Sequence, residues 1–346
     1  MTDARLPDAA PTNWVDRFAP APLRPWLKLA RFDRPTGIWL LMLPGWQGIA
    51  LASAMMGEWP SLTLLALFFL GSALMRSAGC AYNDIVDADI DAKVARTAMR
   101  PIPSGQISKA GGWAFLIACS LASLAILMSL NLLSLFLGIA SLALVAAYPF
   151  MKRITWWPQA WLGLTFNWGV LLGFAAAQGG RASALSLAFV IGARLKGVDL
   201  TLMPEHRITL AALLLYASGV FWTLGYDTIY AVQDLEDDAL AGVKSSARKL
   251  GPAAPRAVLG FYAVSFVLAL GAWWFGGLGP LFLPVAVMFG YQLSRQPMRL
   301  DLNDPAGALA IFKSNTTAGL LLFIALVLGH WKFVGLLPTA ALGQPQ

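Results

Sequence analysis

The stretch Ser61–Asp91, SLTLLALFFLGSALMRSAGCAYNDIVDADID, decides the fold of this chain. Residues 61–82 are almost all apolar, and Arg76 is the one charged residue among them. An α-helix needs about 20 apolar residues to cross a bilayer. The residues that follow, 83–91, include four aspartates. The stretch therefore predicts a membrane helix that ends in a dense acidic cluster.

The composition of the whole chain agrees with this interpretation. The 346 residues are 58% hydrophobic and 12% charged, whereas a soluble domain carries about 25% charged residues. We expect an all-α polytopic membrane protein, a single helical bundle with about nine transmembrane helices. The apolar spans lie near residues 36–56, 61–82, 110–129, 131–149, 158–178, 208–228, 254–274, 278–294 and 315–336.

The bundle is predicted as one domain over residues 23–336, with a disordered tail at 1–22 and a C-terminal tail at 337–346. The connection 179–207 does not fit the layout, because it is long and basic on the side where the other connections are mostly short and uncharged. Three interpretations of it stay open: an insertion, a re-entrant segment or a surface helix.

The net charge of +7 comes from basic residues in alternate loops. Such loops face the cytoplasm under the positive-inside rule, and they explain the charge better than nucleic-acid binding does. Both acidic clusters of the chain fall on that same face. We therefore expect a multi-pass membrane protein with its active site facing the cytoplasm. The membrane that fits best is the inner membrane of a bacterium.

Cysteine and histidine are too scarce to build the usual metal or disulfide frameworks. The two cysteines, Cys80 and Cys119, lie in apolar stretches, where they are predicted to be free core residues. Only two histidines, His206 and His330, are present. This argues against zinc, di-iron and haem sites that depend on histidine.

Half of the 18 acidic residues lie in 83–91 and 227–238. In the first cluster, Asn83, Asp87 and Asp91 are spaced i, i+4, i+8, so they share one face of an α-helix. Asp84 and Asp89 are expected to point elsewhere. Three oxygen-bearing side chains on one face favour a cation between them.

The second cluster repeats the pattern, with Asp227, Asp234 and Asp238 at i, i+7, i+11. Two acidic faces across a cavity would hold one or two Mg²⁺ ions, because Mg²⁺ prefers few carboxylates plus waters and substrate phosphate. The alternative is that each cluster is only a solvated helix end that terminates a span.

Basic residues follow each cluster, and a Mg²⁺-bound diphosphate needs such donors for its outer oxygens. The candidates are Lys93, Arg96, Arg100 and Lys244; positive-inside topology alone is the other explanation. Arg76 differs, because it lies inside a span, seven residues before Asn83. An arginine there must be paired, with a carboxylate or with a substrate anion.

Taken together, these segments resemble the UbiA superfamily of intramembrane aromatic prenyltransferases. Leu74–Gly105 and Tyr226–Ser245 are similar to its two aspartate signatures. Tyr148–Gly169 resembles the connecting signature of the 4-hydroxybenzoate branch, and Arg31–Gly48 and Phe312–Phe323 match the ends.

The resemblance implies a nine-helix bundle around a central cavity open to lipid. The implied reaction moves a polyprenyl chain from polyprenyl diphosphate to the ring of 4-hydroxybenzoate, for ubiquinone synthesis. Mg²⁺ would be the cofactor, and other quinone-pathway enzymes are possible partners. The implied metal ligands are Asn83, Asp87, Asp91, Asp234 and Asp238. The implied catalytic acids are Asp87, Asp91, Asp227 and Asp234. Lys152 and Arg153 would bind the hydroxybenzoate carboxylate or the diphosphate.

Other functions remain open at this point. The acceptor could be homogentisate, dihydroxynaphthoate or haem. A divalent-cation channel or transporter would also need acidic residues in a membrane, although a pore favours acids at mid-membrane depth. A polyprenyl-diphosphate phosphatase would release phosphate without an aromatic acceptor.

Overall fold

The structure of the protein is a computed structural model that describes residues 13–93, 97–179, 207–235 and 244–332, apart from the side chains of Ile90 and Lys152. Almost all of the predicted insertion, the C-terminal tail, Arg96 and Asp238 lie outside these residues. Within them the chain is helical and has no strand. The helices are α1 Trp14–Phe18, α2 Arg24–Leu29, α3 Thr36–Met56, α4 Leu62–Val86, α5 Ala88–Asp91, α6 Lys109–Met128, α7 Leu132–Ile154, α8 Pro158–Ala177, α9 Leu210–Tyr230, α10 Ser246–Leu250, α11 Ala254–Phe275, α12 Phe282–Met298 and α13 Pro305–Leu328.

Eight helices of the described chain are long and apolar enough to cross a membrane. These are α3, α4, α6, α7, α8, α9, α11 and α13. Helix α12 has 17 residues and packs between α11 and α13. The predicted all-α membrane bundle is confirmed, and the count of about nine spans is approximate.

Capping residues explain why the helices start where they do. The Ser61 side chain accepts a hydrogen bond from Leu64 N, and Asn131 caps α7 in the same way. Helix α13 begins ten residues earlier than the predicted span at 315, because Asp304 accepts a hydrogen bond from Gly307 N and Pro305 occupies the first turn. The Asp-Pro pair marks the N-terminus of the helix, and a prediction from hydropathy alone does not detect it.

The N-terminal segment is more structured than predicted. Residues 13–22, assigned to a tail from sequence, include helix α1 and a buried Val15. Asp16 forms an ion pair with Lys28 of α2 at 2.7 Å. Burial alone would raise the pKa of Asp16, but hydrogen bonds from Lys28 and Asn13 lower it overall. The prediction of a disordered tail is therefore wrong for residues 13–22, and residues 1–12 lie outside the described chain.

Helices α3, α8 and α9 form the centre of the bundle. Helices α3 and α8 approach so closely that a Cβ at Gly48 would collide with the carbonyl oxygen of Val170. A Cβ at Gly173 would collide with the carbonyl oxygen of Gly45 in the same way. By contrast, α6 and α7 bury few of their side chains, so they form an outer wall.

A buried polar network fixes α9 against the C-terminal helices. The indole of Trp222 donates to Asn315 Oδ1 at 2.8 Å, and the Tyr262 hydroxyl donates to Gln296 Oε1 at 2.6 Å. Asn315 Nδ2 also donates to Gln296 Oε1 at 3.0 Å. Such a satisfied network specifies one packing arrangement. It joins α9, α11, α12 and α13.

Contacts between connections show that both acidic clusters lie at one end of the bundle. Arg153, at the end of α7, reaches Asp87 after α4. Lys244, which follows the second cluster, donates to the carbonyl oxygen of Ile154. At the other end, Lys332 donates to the carbonyl oxygen of Met55. The predicted placement of the two clusters on the same face agrees with this arrangement.

Candidate active site

A cavity of about 590 Å³ lies between α3, α4, α6, α7 and α8, and the ends of α9 and α13 complete it. Charged and amide side chains gather at one end, called here the polar end. They are Arg31, Arg34, Arg76, Asn83, Asp84, Arg100, Asp227 and Lys313. The remainder, called the apolar body, is lined by side chains such as Leu121, Leu124, Leu127, Leu130 and Leu142.

The first acidic cluster spans a junction between two helices. Helix α4 ends at Val86, Asp87 follows it, and α5 runs over Ala88–Asp91. The helical hydrogen bonds continue through the junction, from Asp87 N to the Asn83 carbonyl at 2.9 Å and from Asp91 N to the Asp87 carbonyl at 2.8 Å. The i, i+4, i+8 spacing is therefore kept.

Two carboxylates on the predicted face of this cluster, Asp87 and Asp91, lie close to guanidinium groups. Asp87, 2% exposed, lies 3.4 Å from Arg153 Nη2. Asp91, 8% exposed, lies 2.8 Å from Arg100 Nη1. Burial raises the pKa of Asp91, and the charge of Arg100 only partly offsets that rise. Arginine side chains thus compensate the charge of the acidic face.

Asp84 corrects the sequence interpretation. It was expected to point away, yet it is fully buried and lines the cavity. Its Oδ1 lies 2.6 Å from Arg31 Nη2 and 3.3 Å from Arg100 Nη1. Helical periodicity shows whether two side chains lie on the same face of a helix. It does not show which faces of that helix are buried by the rest of the fold. Asp89, also expected to point elsewhere, is exposed and pairs with Lys109.

The second cluster departs from regular helical geometry. Helix α9 ends at Tyr230, and a 3₁₀ turn follows over Ala231–Asp234. Three residues per turn replace 3.6, so the predicted α-helical face does not continue past Tyr230. Asp227 lines the cavity and interacts electrostatically with Arg76 and Asp234.

Arg76 is held in an unusual setting. Its guanidinium lies 5.5 Å from the ring centre of Phe166, and a Cβ at Gly37 would come within 2.9 Å of its Nε. That Nε is buried and has no hydrogen-bond partner among the described residues. Of the two partners expected for Arg76, a carboxylate or a substrate anion, the described residues place no carboxylate at ion-pair distance, so the substrate anion stays a prediction. The charge of Arg76 remains directed to the cavity.

Of the other basic residues predicted to bind substrate, some lie at the cavity and others do not. Arg100 lines the cavity. Lys93 is exposed and is not among the lining residues. Lys244 donates to the Ile154 carbonyl at 3.3 Å, so it stabilises the end of α7. Arg153 contacts Asp87, whereas the side chain of Lys152 lies outside the described atoms.

Several lining residues were missed by sequence reasoning. Arg31 and Arg34, treated only as loop charges, enter the polar end from the segment before α3. Tyr148, Tyr226 and Lys313 also line it. The signal for the two arginines was present in RFDRPTG, since two cations directly before an apolar span suit an anion at its mouth.

The polar end fits a Mg²⁺–diphosphate in its donor chemistry. The described residues contain no group of three acidic, cysteine or histidine side chains that could hold a metal by itself. However, Asn83 and Asp227 open into the same cavity, and Asp84 Oδ2 is buried there without a hydrogen bond. Mg²⁺ needs only one or two carboxylates when waters and substrate phosphate complete its shell.

Comparisons with known proteins agree with this geometry. The sequence model of the UbiA prenyltransferase family matches residues 41–327. The mitochondrial 4-hydroxybenzoate polyprenyltransferase of Bos taurus is 43% identical over 317 residues, which cover 91% of this chain and 78% of that protein. The protein of the same name from Arabidopsis thaliana is 41% identical over 318 residues, covering 92% of this chain and 72% of that one.

Solved structures share the fold. The apo structure of a UbiA homolog from Aeropyrum pernix K1 superposes with a TM-score of 0.63 at 28% identity, covering 84% of this chain and 96% of that one. A UbiA homolog from Archaeoglobus fulgidus bound to GPP and Mg²⁺ gives a TM-score of 0.61 at 17% identity, with 88% and 99% coverage. The second similarity concerns the fold alone.

The relatives correct the expected location. The curated proteins from Bos taurus, Homo sapiens and Arabidopsis thaliana are named mitochondrial, so the assignment to a bacterial inner membrane is contradicted. The physical reason is simple. Loop charges orient a chain relative to the membrane that it enters, but they do not identify that membrane. The multi-pass membrane character is unaffected.

Proposed function

The chain belongs to the UbiA prenyltransferase family, and from this premise we propose that it transfers a polyprenyl chain from polyprenyl diphosphate to the ring of 4-hydroxybenzoate, with Mg²⁺ as cofactor. One observation carries the proposal: a single cavity joins a cationic and acidic polar end to a long apolar body. A prenyl diphosphate is divided in the same way, into a charged diphosphate group and an apolar isoprenoid tail. The names of the relatives favour this acceptor and this reaction.

The diphosphate would occupy the polar end. Asn83, Asp87, Asp91, Asp234 and Asp238 are proposed to hold the Mg²⁺–diphosphate. When bound, Mg²⁺ supplies positive charge that stabilises the departing diphosphate. Arg100 lines the cavity and carries donors for the outer phosphate oxygens, and a guanidinium can make two parallel hydrogen bonds to them.

Arg153 is proposed to serve the diphosphate rather than the aromatic carboxylate. Its guanidinium lies 3.4 Å from Asp87, a proposed metal ligand. Lys152, the residue before Arg153, keeps its proposed role as a contact of the substrate. Lys93, Arg96 and Lys244 are left with a weaker proposed role, the general attraction of an anion to this end of the bundle.

Arg76 is proposed to bind an anionic group of a substrate, either the diphosphate or the hydroxybenzoate carboxylate. Gly37 leaves space for its guanidinium, and Phe166 supports the guanidinium through its ring face. A half-buried guanidinium whose buried Nε has no hydrogen-bond partner among the described residues is costly until an anion binds it. Binding energy at this position would therefore orient the substrate.

The bond changes follow from electrophilic aromatic substitution. The ring carbon ortho to the phenol attacks C1 of the prenyl chain, and the electrons of the allylic C–O bond leave with the diphosphate. The ring proton passes to a carboxylate. Asp227 is proposed for this step because it lines the cavity; Asp87, the other candidate, is paired with Arg153.

The apolar body would hold the isoprenoid tail and exclude water from the allylic cation. Leu121, Leu124 and Leu127 of α6 and Leu142 of α7 line it, and Leu130, in the connection between these helices, lies at the end of the bundle away from the acidic clusters. Each CH₂ removed from water contributes about 0.8 kcal/mol. A long tail therefore stays within the membrane while its diphosphate reacts at the mouth.

The test is a prenyl-transfer assay with purified protein in lipid, radiolabelled 4-hydroxybenzoate and isoprenoid diphosphates of several lengths. Labelled prenyl-hydroxybenzoate that needs Mg²⁺ is the expected product. Homogentisate, dihydroxynaphthoate and haem serve as competing acceptors, and preference for one of them would reassign the substrate. Diphosphate release without any acceptor would indicate a phosphatase, and Mg²⁺ flux without substrate would indicate a channel.

Association with other quinone-pathway enzymes is also proposed, because both substrate and product stay in the membrane. Crosslinking in native membranes, followed by purification of this chain, tests it. Recovery of the chain alone would contradict the association and leave the prenyl-transfer proposal intact.

A further inference from the structure

A chain of alternating charges at the polar end runs from Arg31 to Asp84, Arg100 and Asp91. Arg31 Nη2 lies 2.6 Å from Asp84 Oδ1, Arg100 Nη1 lies 3.3 Å from the same oxygen, and Arg100 Nη1 lies 2.8 Å from Asp91 Oδ2. Arg100 is therefore shared between two carboxylates. One of them, Asp91, belongs to the proposed metal-binding face, and the other does not.

The surroundings of Asp84 indicate that it holds arginine side chains in place. It is fully buried at the end of α4, so its charge depends on the guanidinium groups beside it. Arg31 is fixed from a second side, because its Nη1 also donates to the Lys28 carbonyl at 3.2 Å. Arg31 adopts a left-handed backbone conformation with φ of 62°, which is unfavourable for a side chain of this size. The surrounding contacts keep it in that conformation.

A cation that bound at Asp91 would affect the contact of Arg100 with Asp91 but not its contact with Asp84. A divalent cation bound at Asp91 would weaken the hold of that carboxylate on Arg100, because the two positive charges would compete for the same oxygens. Arg100 keeps its contact with Asp84, which lies outside the i, i+4, i+8 face. The guanidinium then has free N–H groups at the cavity, where the phosphate oxygens of the substrate would lie.

We infer that Asp84 is a positioning residue that holds Arg31 and Arg100 at the cavity, so that cation binding at Asp91 releases Arg100 to bind the diphosphate. The inference rests on the proposed function, because it assumes a diphosphate and a divalent cation at the polar end. It assigns Asp84 a different task from Asn83 and Asp87, its neighbours in the same motif.

The test measures binding rather than turnover. The full chain is purified in lipid nanodiscs, Mn²⁺ binding without substrate is followed by electron paramagnetic resonance, and binding of inorganic pyrophosphate with Mg²⁺ is followed by calorimetry. Asp84→Asn removes the charge while keeping the shape. Asp89→Asn is the matched control, because that carboxylate lies in the same segment, is exposed and, among the described residues, pairs with Lys109.

For Asp84→Asn we expect the Kd of pyrophosphate to rise at least about tenfold while the Kd of Mn²⁺ changes little, as for residues that orient a binding group. Asp87→Asn should instead weaken Mn²⁺ directly. In turnover, Asp84→Asn should raise KM for the polyprenyl diphosphate and leave KM for 4-hydroxybenzoate unchanged. Asp89→Asn should resemble the parent protein in every measurement.

Arg100→Gln tests the same inference if Asp84→Asn fails to fold. It removes the cation that competes at Asp91, so Mn²⁺ should bind more tightly while pyrophosphate binds more weakly. A purely structural role for this network predicts no such opposite changes.

Three results would overturn the inference. Asp84→Asn could weaken Mn²⁺ as much as Asp87→Asn does, which would make Asp84 a metal ligand. Asp84→Asn could bind pyrophosphate like the parent, or Arg100→Gln could weaken both ligands together. Failure of the parent protein itself to bind Mg²⁺ and pyrophosphate is a different outcome, since it would remove the proposed function as well.

Discussion

The polar end and the apolar body belong to one cavity, but they are built in opposite ways. At the polar end, ion pairs join segments that are distant in sequence, such as Arg31 with Asp84 and Arg153 with Asp87, which are 53 and 66 residues apart. The apolar body is walled by α6 and α7, which bury few of their side chains. Chemistry requires fixed charges, whereas an isoprenoid tail requires only apolar volume.

This contrast predicts that changes at the polar end impair the reaction with prenyl diphosphates of every length, whereas changes in the apolar body alter only which chain length is accepted. The largest effect should come from removing the divalent cation. Chelation with EDTA should abolish prenyl transfer, because the leaving diphosphate then lacks a stabilising charge worth several kcal/mol. Product formation from radiolabelled 4-hydroxybenzoate measures this effect, and added Mg²⁺ should restore it. Undiminished activity in EDTA would contradict the cofactor assignment.

Removal of single proposed ligands comes next. Asp87→Ala and Asp234→Ala should each lower kcat at least about 100-fold, as the loss of one electrostatic contact to a transition state does, while expression and folding are kept. The deficit should be the same with short and long prenyl diphosphates. Asp89→Ala is the control, because its exposed pair with Lys109 contributes little. Full activity in either ligand variant would count against the metal assignment.

A change in the apolar body should act selectively. Leu142→Trp adds bulk to the α7 wall of the cavity. We expect kcat/KM for a long polyprenyl diphosphate to fall roughly tenfold, the scale of discrimination that an apolar pocket provides. The value for geranyl diphosphate should stay nearly unchanged. Leu259→Trp, an exposed position on α11, is the control. Equal losses with both chain lengths would show that this wall does not hold the tail.

The smallest effect on the reaction should come from a substitution at the half-exposed edge of the polar end, at Arg153. Arg153→Ala removes a half-exposed partner of Asp87, 3.4 Å away, and such pairs contribute at most about 1 kcal/mol. KM for the polyprenyl diphosphate should rise about threefold to fivefold, and KM for 4-hydroxybenzoate should not change. Steady-state kinetics with each substrate varied in turn separates the two. If only the hydroxybenzoate KM rises, Arg153 binds the aromatic acid instead.

Much of the fold was predictable from the sequence because hydrophobicity and helix length are local properties. The runs near 36–56 and 158–178 became α3 and α8 with nearly the same bounds. The prediction of free, buried cysteines is also confirmed for Cys80 and Cys119. The error at α13 had a local cause as well, since Asp304 and Pro305 start that helix before its apolar run.

The candidate site was predictable only in part. Spacing placed Asn83, Asp87 and Asp91 on one helical face, and the hydrogen bonds through the α4–α5 junction keep that register. Spacing also dismissed Asp84, because periodicity contains no information about the segment that covers the next face of the helix. The 3₁₀ turn after Tyr230 had no signal in the pattern that placed Asp227 and Asp234 together.

By itself, the sequence determined that this chain is a membrane helical bundle with two acidic clusters at one end, since burial in lipid and helical spacing depend on neighbouring residues. Only the tertiary structure decided which arginine faces which carboxylate, that Asp84 is buried rather than solvated, and that one cavity connects the charges to a leucine-lined body. Those features depend on contacts between distant segments, and such contacts are set by the packing of whole helices.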